Sequence, residues 1–302
     1  MSDLEQRDNP YNVTQASRIY FLPNLMTAGN LFCGFGAIIK CIQARLMTDV
    51  GGEYSILHAN LSWSALYSQA VWLILAAVVF DSLDGRLARL GGRTSLFGAE
   101  FDSLADVVSF GMAPALMVFF LILAPREEYQ WFRELGWFIA FIYLLCGAVR
   151  LARFNVITNP LLHSGSADSN KDFIGLPIPA AAGTVASLVL LLLNLSENAK
   201  SLRYWSLCLP LLLILVSFLM VSTVRYPSFK QVNWETKTRF RTFVVVFILV
   251  VIGVKLHEVA AFVVFLGYIS YGLFSHYRRG VRHAQMRALR RKIVKRREND
   301  PE

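Results

Sequence analysis

The sequence predicts an all-α, polytopic membrane helix bundle of about eight transmembrane helices with both termini cytoplasmic. Three observations carry this expectation. Of 302 residues, 55% are hydrophobic and 17% charged, too apolar a balance for an ordinary soluble domain. The apolar residues fall in runs near the length of a bilayer crossing. The 30 Lys and Arg, against 21 Asp and Glu, gather in alternate loops and one tail rather than spreading evenly.

In chain order, residues 1–22 read as a cytoplasmic or interfacial N-terminal segment. Its last part mixes Tyr11, Val13, Ile19, Tyr20 and Phe21 with polar residues. The start lacks the basic residues and short apolar core of a cleaved signal peptide, so insertion is expected to use the first span. Residues 23–277 form the transmembrane domain, with Pro23 opening the first helix where its missing N–H does least harm. The expected spans are Leu25–Gln43, Leu66–Arg86, Phe101–Leu123, Trp137–Phe154, Ile178–Leu195, Trp205–Val224, Phe243–Lys255 and Val259–Tyr277.

Charge sets the orientation. The loops at Arg86–Arg93, Arg150–Lys171 and Arg225–Arg241 lie on one side; those near Asp49–Asn60, Arg126–Arg133 and Lys200–Arg203 are poor in net positive charge. Residues 278–302 form a basic tail with ten Lys and Arg between Arg278 and Arg297. The excess of positive charge therefore places both termini in the cytoplasm. The net charge of +9 reflects topology rather than nucleic-acid binding. The tail reads as an orientation signal, or as an attraction to anionic lipid. Cys33, Cys41, Cys146 and Cys208 all sit in apolar stretches without paired spacing, which suits packing residues better than disulfide or zinc chemistry.

Against this background stand four acids within the second and third spans: Asp81, Asp84, Asp102 and Asp106. Ionisable residues in a span are costly and point to function. Asp81 and Asp84 lie within ~60° of each other on one helix face, Asp102 and Asp106 within ~40°. A basic, glycine-containing turn joins the two helices, so an antiparallel pair brings all four carboxylates together near the cytoplasmic surface. At ~5 Å and an effective dielectric of ~20, each carboxylate pair repels by ~3 kcal/mol. One or two hard divalent cations turn that geometry into a stable site. Gly85 and Gly98 clear the helix faces beside the acids, Ala88 keeps that face small, and Arg89 reaches a phosphate. Metal and arginine around a diphosphate suit phosphoryl transfer. A transporter using the acids as a cation relay is the reading from a different class; a lipid-binding structural protein is a third.

The frame Asp81-x-x-Asp84-Gly85-x-x-Ala88-Arg89, eight residues, Gly98-x-x-x-Asp102-x-x-x-Asp106 resembles the signature of the CDP-alcohol phosphatidyltransferase family without departure. The resemblance implies that Asp81, Asp84 and Asp102 ligate metal, Mg²⁺ or Mn²⁺ and two ions, while Asp106 ligates the second ion or acts as general base. It implies that Gly85, Arg89 and Ser95 face the CDP moiety, and that the enzyme is a homodimer.

Three further stretches, Val107–Ala115, Arg150–Asn155 and Phe173–Ala180, resemble the phosphatidylserine synthase branch of that family. This implies CDP-diacylglycerol and L-serine as substrates, with phosphatidylserine and CMP as products; other acceptors are glycerol 3-phosphate, inositol phosphate and choline. Arg150 and Arg153, with Asn155 beside them, either capture a lipid phosphate or the serine carboxylate, or snorkel to the interface. Pro177 and Pro179 shape the edge of the site or only delimit the fifth span. Asn24, Thr27 and Asn30 share a face of the first helix and either bind phosphate and sugar hydroxyls or hold helices together. Lys40 and Arg45 read as snorkelling residues. The expected location is a bacterial inner membrane, with the site facing the cytoplasm.

Overall fold

The computed structural model of the chain describes residues 21–49, 62–90, 96–123, 130–158, 173–198, 208–226 and 259–278. Within them the protein is a helix bundle. Helix α1 is Phe21–Asp49, α2 Trp63–Leu90, α4 Gln130–Thr158, α5 Ile178–Asn198, α6 Cys208–Val221 and α7 Val259–Arg278. Helix α3 is one rod in four pieces: α-helical Leu96–Asp106, π-helical Val107–Met112, α-helical Ala113–Val118 and π-helical Phe119–Leu123. Six helices among the described residues are long and apolar enough to cross a membrane; α6, with 14 described residues, is shorter. The expected span Phe243–Lys255 lies outside the described residues.

Small side chains set the packing. Cys33, Ala37, Cys41 and Ala44 make a buried seam along α1, and Ala70, Ile74 and Ala77 are buried on α2, which packs against α1. Residues this small let two backbones approach closely, the usual route to helix association where burial of apolar groups gives no advantage over lipid. Gly34 takes this furthest, because a Cβ there would collide with the side chain and backbone of Ser109 on α3. On the outer side of α1, Phe32, Phe35, Ile39 and Leu46 are exposed, as befits a face toward acyl chains. Helix α5 is the centre of the bundle, buried at every residue from Ala181 to Leu190. Two buried polar residues there bond within the helix: Thr184 donates to the Ala180 carbonyl at 2.7 Å and Ser187 to the Thr184 carbonyl at 3.1 Å.

The π turn in α3 has a local cause. Pro114 has no N–H for the carbonyl of Phe110 four residues earlier, and its ring crowds that carbonyl. The helix widens instead, so that Ala113 N–H bonds to Val108 O, five residues back. The Phe110 carbonyl is recovered from outside by the Tyr143 hydroxyl of α4, which donates to it at 3.0 Å in the fully buried interior. This locks α3 to α4 one turn below the acids.

Two short extended pieces complete the described chain. Phe173–Ile174 pairs antiparallel with Arg225–Tyr226, Phe173 opposite Tyr226. Gly175 then turns at φ +80°, where a Cβ would strike the Met220 carbonyl, and its N–H bonds to Val224 O at 2.8 Å. The sixth span was expected to run to Val224, but the helix ends at Val221. Ser222 diverts the backbone, its hydroxyl donating to Leu219 O at 2.8 Å and accepting from Val224 N–H at 3.4 Å. Pro177 stands immediately before α5 and Pro179 in its first turn, so both mark the start of that helix.

Candidate active site

Helices α1, α2, α3 and α4 bring their polar residues to one place. Asp81 from α2 and Asp102 and Asp106 from α3 each offer an oxygen, all within 4.8 Å of one another. Asp106 is 6% exposed and Asp84 5%. Asp84 stands beside this trio, in electrostatic contact with Asp102. Three carboxylates at such separations repel by about 10 kcal/mol in total at an effective dielectric of ~20, more than a few hydrogen bonds offset.

The face of α1 turned toward the acids carries their hydrogen-bond donors. Asn30 Nδ2 donates to Asp106 Oδ1 at 3.0 Å, and Thr27 Oγ1 donates to Asp84 Oδ2 at 3.1 Å. Both donors are buried. Of the two readings of this polar face, the structure therefore displays interhelical hydrogen bonding to the acid cluster itself. Ser109, one turn after the acids, donates to the backbone carbonyl of Asn30 at 2.9 Å and fixes the height of α1 against α3. Asn24 is half-buried a turn earlier on α1.

From α4, Arg150 is buried near the cluster while Arg153 is exposed. Arg150 is 9% exposed and interacts electrostatically with Asp106 and Asp81, whereas Arg153 is exposed. Asn155, half-buried, exchanges hydrogen bonds with Ser103, the residue after Asp102; Asn155 Nδ2 donates to Ser103 Oγ at 2.9 Å. Beside the acids, a Cβ added at Gly85 would meet nothing within 4 Å, so the α2 backbone there borders open space. Gly98 lies in the first turn of α3 and is half-buried. Ser95 lies outside the described residues, and of Ala88 and Arg89 only the helical backbone is described. Arg45, read from the sequence as snorkelling, has its Nη1 enclosed in the bundle.

The cluster fits a divalent cation. Its donors are carboxylate oxygens, the ligands that hard cations prefer. Asp102 Oδ1 is buried without a hydrogen-bond partner, an acceptor waiting for a positive group.

A model of the CDP-alcohol phosphatidyltransferase family matches residues 20–216, which include α1 to α5 and the whole acid cluster. The chain belongs to the CDP-alcohol phosphatidyltransferase family.

Among similar proteins is the CDP-diacylglycerol–serine O-phosphatidyltransferase of Helicobacter pylori (strain ATCC 700392 / 26695). It is 37% identical over 261 residues, covering 84% of this chain and 90% of that protein. The enzyme of that name from Methanocaldococcus jannaschii is 35% identical over 234 residues, 78% of this chain and 97% of that protein. The archaetidylserine synthase of Methanothermobacter thermautotrophicus is 36% identical over 184 residues, 60% of this chain and 68% of that protein. This CDP-alcohol phosphatidyltransferase is thus a polytopic membrane enzyme whose family frame, Asp81 to Asp106, coincides with the carboxylates gathered in space.

Several residues of this arrangement carry no signal in the family frame. Ser109 and Gly34 form a close approach of α1 to α3, and a small residue on each of two distant segments does not mark a contact in a single sequence. Tyr143 was findable in principle: Pro114 announces an unpaired carbonyl at Phe110, and a tyrosine in a neighbouring span is a donor able to meet it.

Proposed function

We propose that the enzyme transfers the phosphatidyl group of CDP-diacylglycerol to the hydroxyl of L-serine, giving phosphatidylserine and CMP with a divalent metal, Mg²⁺ or Mn²⁺, in the site. The observation that carries this reading is the trio Asp81, Asp102 and Asp106, in a family frame and in a chain similar over most of its length to enzymes named for that reaction. Asp81, Asp84, Asp102 and Asp106 would hold the metal, which supplies charge neutralisation for the diphosphate and for the departing CMP phosphate.

The protein's own groups account for the remainder. Asn30 holds Asp106 by one oxygen, so the carboxylate presents a fixed edge to the acceptor hydroxyl and takes its proton as that oxygen attacks phosphorus. The phosphorus–oxygen bond to CMP breaks as the bond to the serine oxygen forms. Arg150, buried beside Asp106, offers a positive charge to the serine carboxylate or the lipid phosphate. Gly85 leaves room for the nucleotide against α2, and Arg89, Ser95, Ala88 and Gly98 complete that side. Arg153, Asn155, Asn24 and Thr27 border the site. The acid-bearing ends face the cytoplasm of a bacterial cell, in an inner-membrane homodimer with eight spans per chain and both termini inside. Serine and CMP then exchange with the cytoplasm and the acyl chains stay in the bilayer.

Purified protein in micelles with CDP-diacylglycerol tests the assignment. CMP release is expected to depend on serine, and release that depends on glycerol 3-phosphate and not on serine overturns the acceptor.

A further inference from the structure

The acids of α3 lie in its first α-helical piece, Leu96–Asp106, and the π turn Val107–Met112 follows directly. Within that π turn α3 is attached to α4 by the Tyr143 hydroxyl, which donates to the Phe110 carbonyl, and by Leu144, which a Cβ at Gly111 would meet at 3.0 Å. A π turn interrupts the regular i to i−4 ladder. This attachment therefore does not by itself fix the rotation of the acid-bearing piece.

That piece has its own tie to α4. Beyond buried Leu151 the end of α4 is exposed at 152–154 and at 156–157, and Asn155, one turn after Leu151, is half-buried. Its Nδ2 donates to Ser103 Oγ at 2.9 Å. The one hydroxyl proton of Ser103 has two acceptors in reach, Ala99 O at 3.0 Å and Asn155 Oδ1 at 3.3 Å. With the shorter bond made, the hydroxyl donates to the α3 backbone and accepts from the α4 amide at once. The two ties to α4, at Ser103 and Phe110, stand on either side of Asp106 in the sequence of α3.

Ser103 follows Asp102 directly and precedes Asp106 by three residues, so a tie at Ser103 acts on the rotation of both acids. A side chain reaches about 5 Å from its helix axis, and turning the helix by ~20° moves its end by ~2 Å. The oxygens of Asp81, Asp102 and Asp106 lie within 4.8 Å of one another. A cation such as Mg²⁺, held at about 2.0–2.1 Å in near-ideal octahedral geometry, does not tolerate a shift of that size. Asp102 Oδ1 is buried with no hydrogen bond to hold it, so its place depends on the helix that carries it. We infer that Asn155 and Ser103 are positioning residues for the metal site: the α4 amide holds the acid-bearing piece of α3 at the rotation where Asp102 and Asp106 meet Asp81. This role rests on the reading that the trio holds a divalent cation.

The experiment measures Mn²⁺ binding directly, from the electron paramagnetic resonance signal of the free ion, on the purified chain in micelles, with the thermal midpoint taken on each sample. Asn155→Ala and Ser103→Ala should each raise the Kd for Mn²⁺ about threefold to tenfold, the span of one hydrogen bond. The double variant should add less than about twofold to either, because both changes remove the same bond. Ser103→Thr keeps the hydroxyl and should stay within about twofold of wild type. An unchanged Kd in Asn155→Ala and Ser103→Ala, whatever their midpoints, marks a purely structural contact and overturns the proposal. Fully additive shifts in the double variant, or a Ser103→Thr as weak as Ser103→Ala, overturn it as well. Should Asn155→Ala fail to fold, Ser103→Ala against Ser103→Thr decides the matter. Wild type that binds no Mn²⁺ overturns the metal reading itself and this role with it, whereas variants that match a binding wild type overturn this role alone.

Discussion

Replacing Asn30 by alanine removes the donor that holds Asp106 and leaves the backbone contact from Ser109 to the Asn30 carbonyl in place. The lost bond is 3.0 Å long and lies between a fully buried amide and a carboxyl that is 6% exposed, so water cannot replace it cheaply. Hydrogen bonds to charged groups contribute about 1.5–3 kcal/mol, and a carboxylate freed to rotate loses the fixed edge that meets the acceptor hydroxyl. If that loss falls on the transition state, kcat/KM drops by roughly tenfold to 150-fold. Asn30→Asp is the harsher change. It places a further carboxylate about 4 Å from Asp106, adding about 4 kcal/mol of repulsion at a dielectric of ~20. The assay is initial-rate CMP release from purified protein, with the thermal midpoint measured alongside to separate catalysis from folding. Asn30→Ala with wild-type kcat/KM and an unchanged midpoint would refute the role given to this bond.

Two other substitutions test the packing that positions the site. Gly34→Ala forces α1 away from Ser109, so it should destabilise by about 1–3 kcal/mol and lower activity with it, read by thermal unfolding in micelles. Tyr143→Phe leaves the Phe110 carbonyl buried and unpaired, at a cost of about 1–3 kcal/mol; a midpoint equal to wild type would show that the π turn does not depend on that hydroxyl.

The parts of this molecule that were legible in the sequence are those where chemistry contrasts with its surroundings. Asp81, Asp84, Asp102 and Asp106 stand out because a bilayer-length apolar run has no cheap place for a carboxylate. Runs of apolar residues likewise marked α1 to α5 to within a few residues at most ends. The contacts between helices were less visible. Nothing in the pattern around Thr27 and Asn30 chooses between ligand binding and interhelical bonding, because both need the same polar residues on the same face. Their pairing with Asp84 and Asp106 depends on how α1 is rotated, which the seam of Cys33, Ala37, Cys41 and Ala44 decides. Arg150 and Arg153 looked equivalent from their spacing, yet the rotation of α4 buries one and exposes the other.

The central claim is that Asp81, Asp102 and Asp106 form a metal-dependent transfer site. Its most direct test is serine-dependent CMP release by the purified enzyme, stripped with a chelator and then titrated with Mg²⁺ or Mn²⁺, beside the Asp102→Asn variant. Stripped wild type should release no CMP and should recover on titration, while Asp102→Asn, lacking one carboxylate charge of the trio, should stay more than about a hundredfold below it at every metal concentration. Full turnover by the stripped protein, or an Asp102→Asn variant that responds to metal as the wild type does, would contradict it.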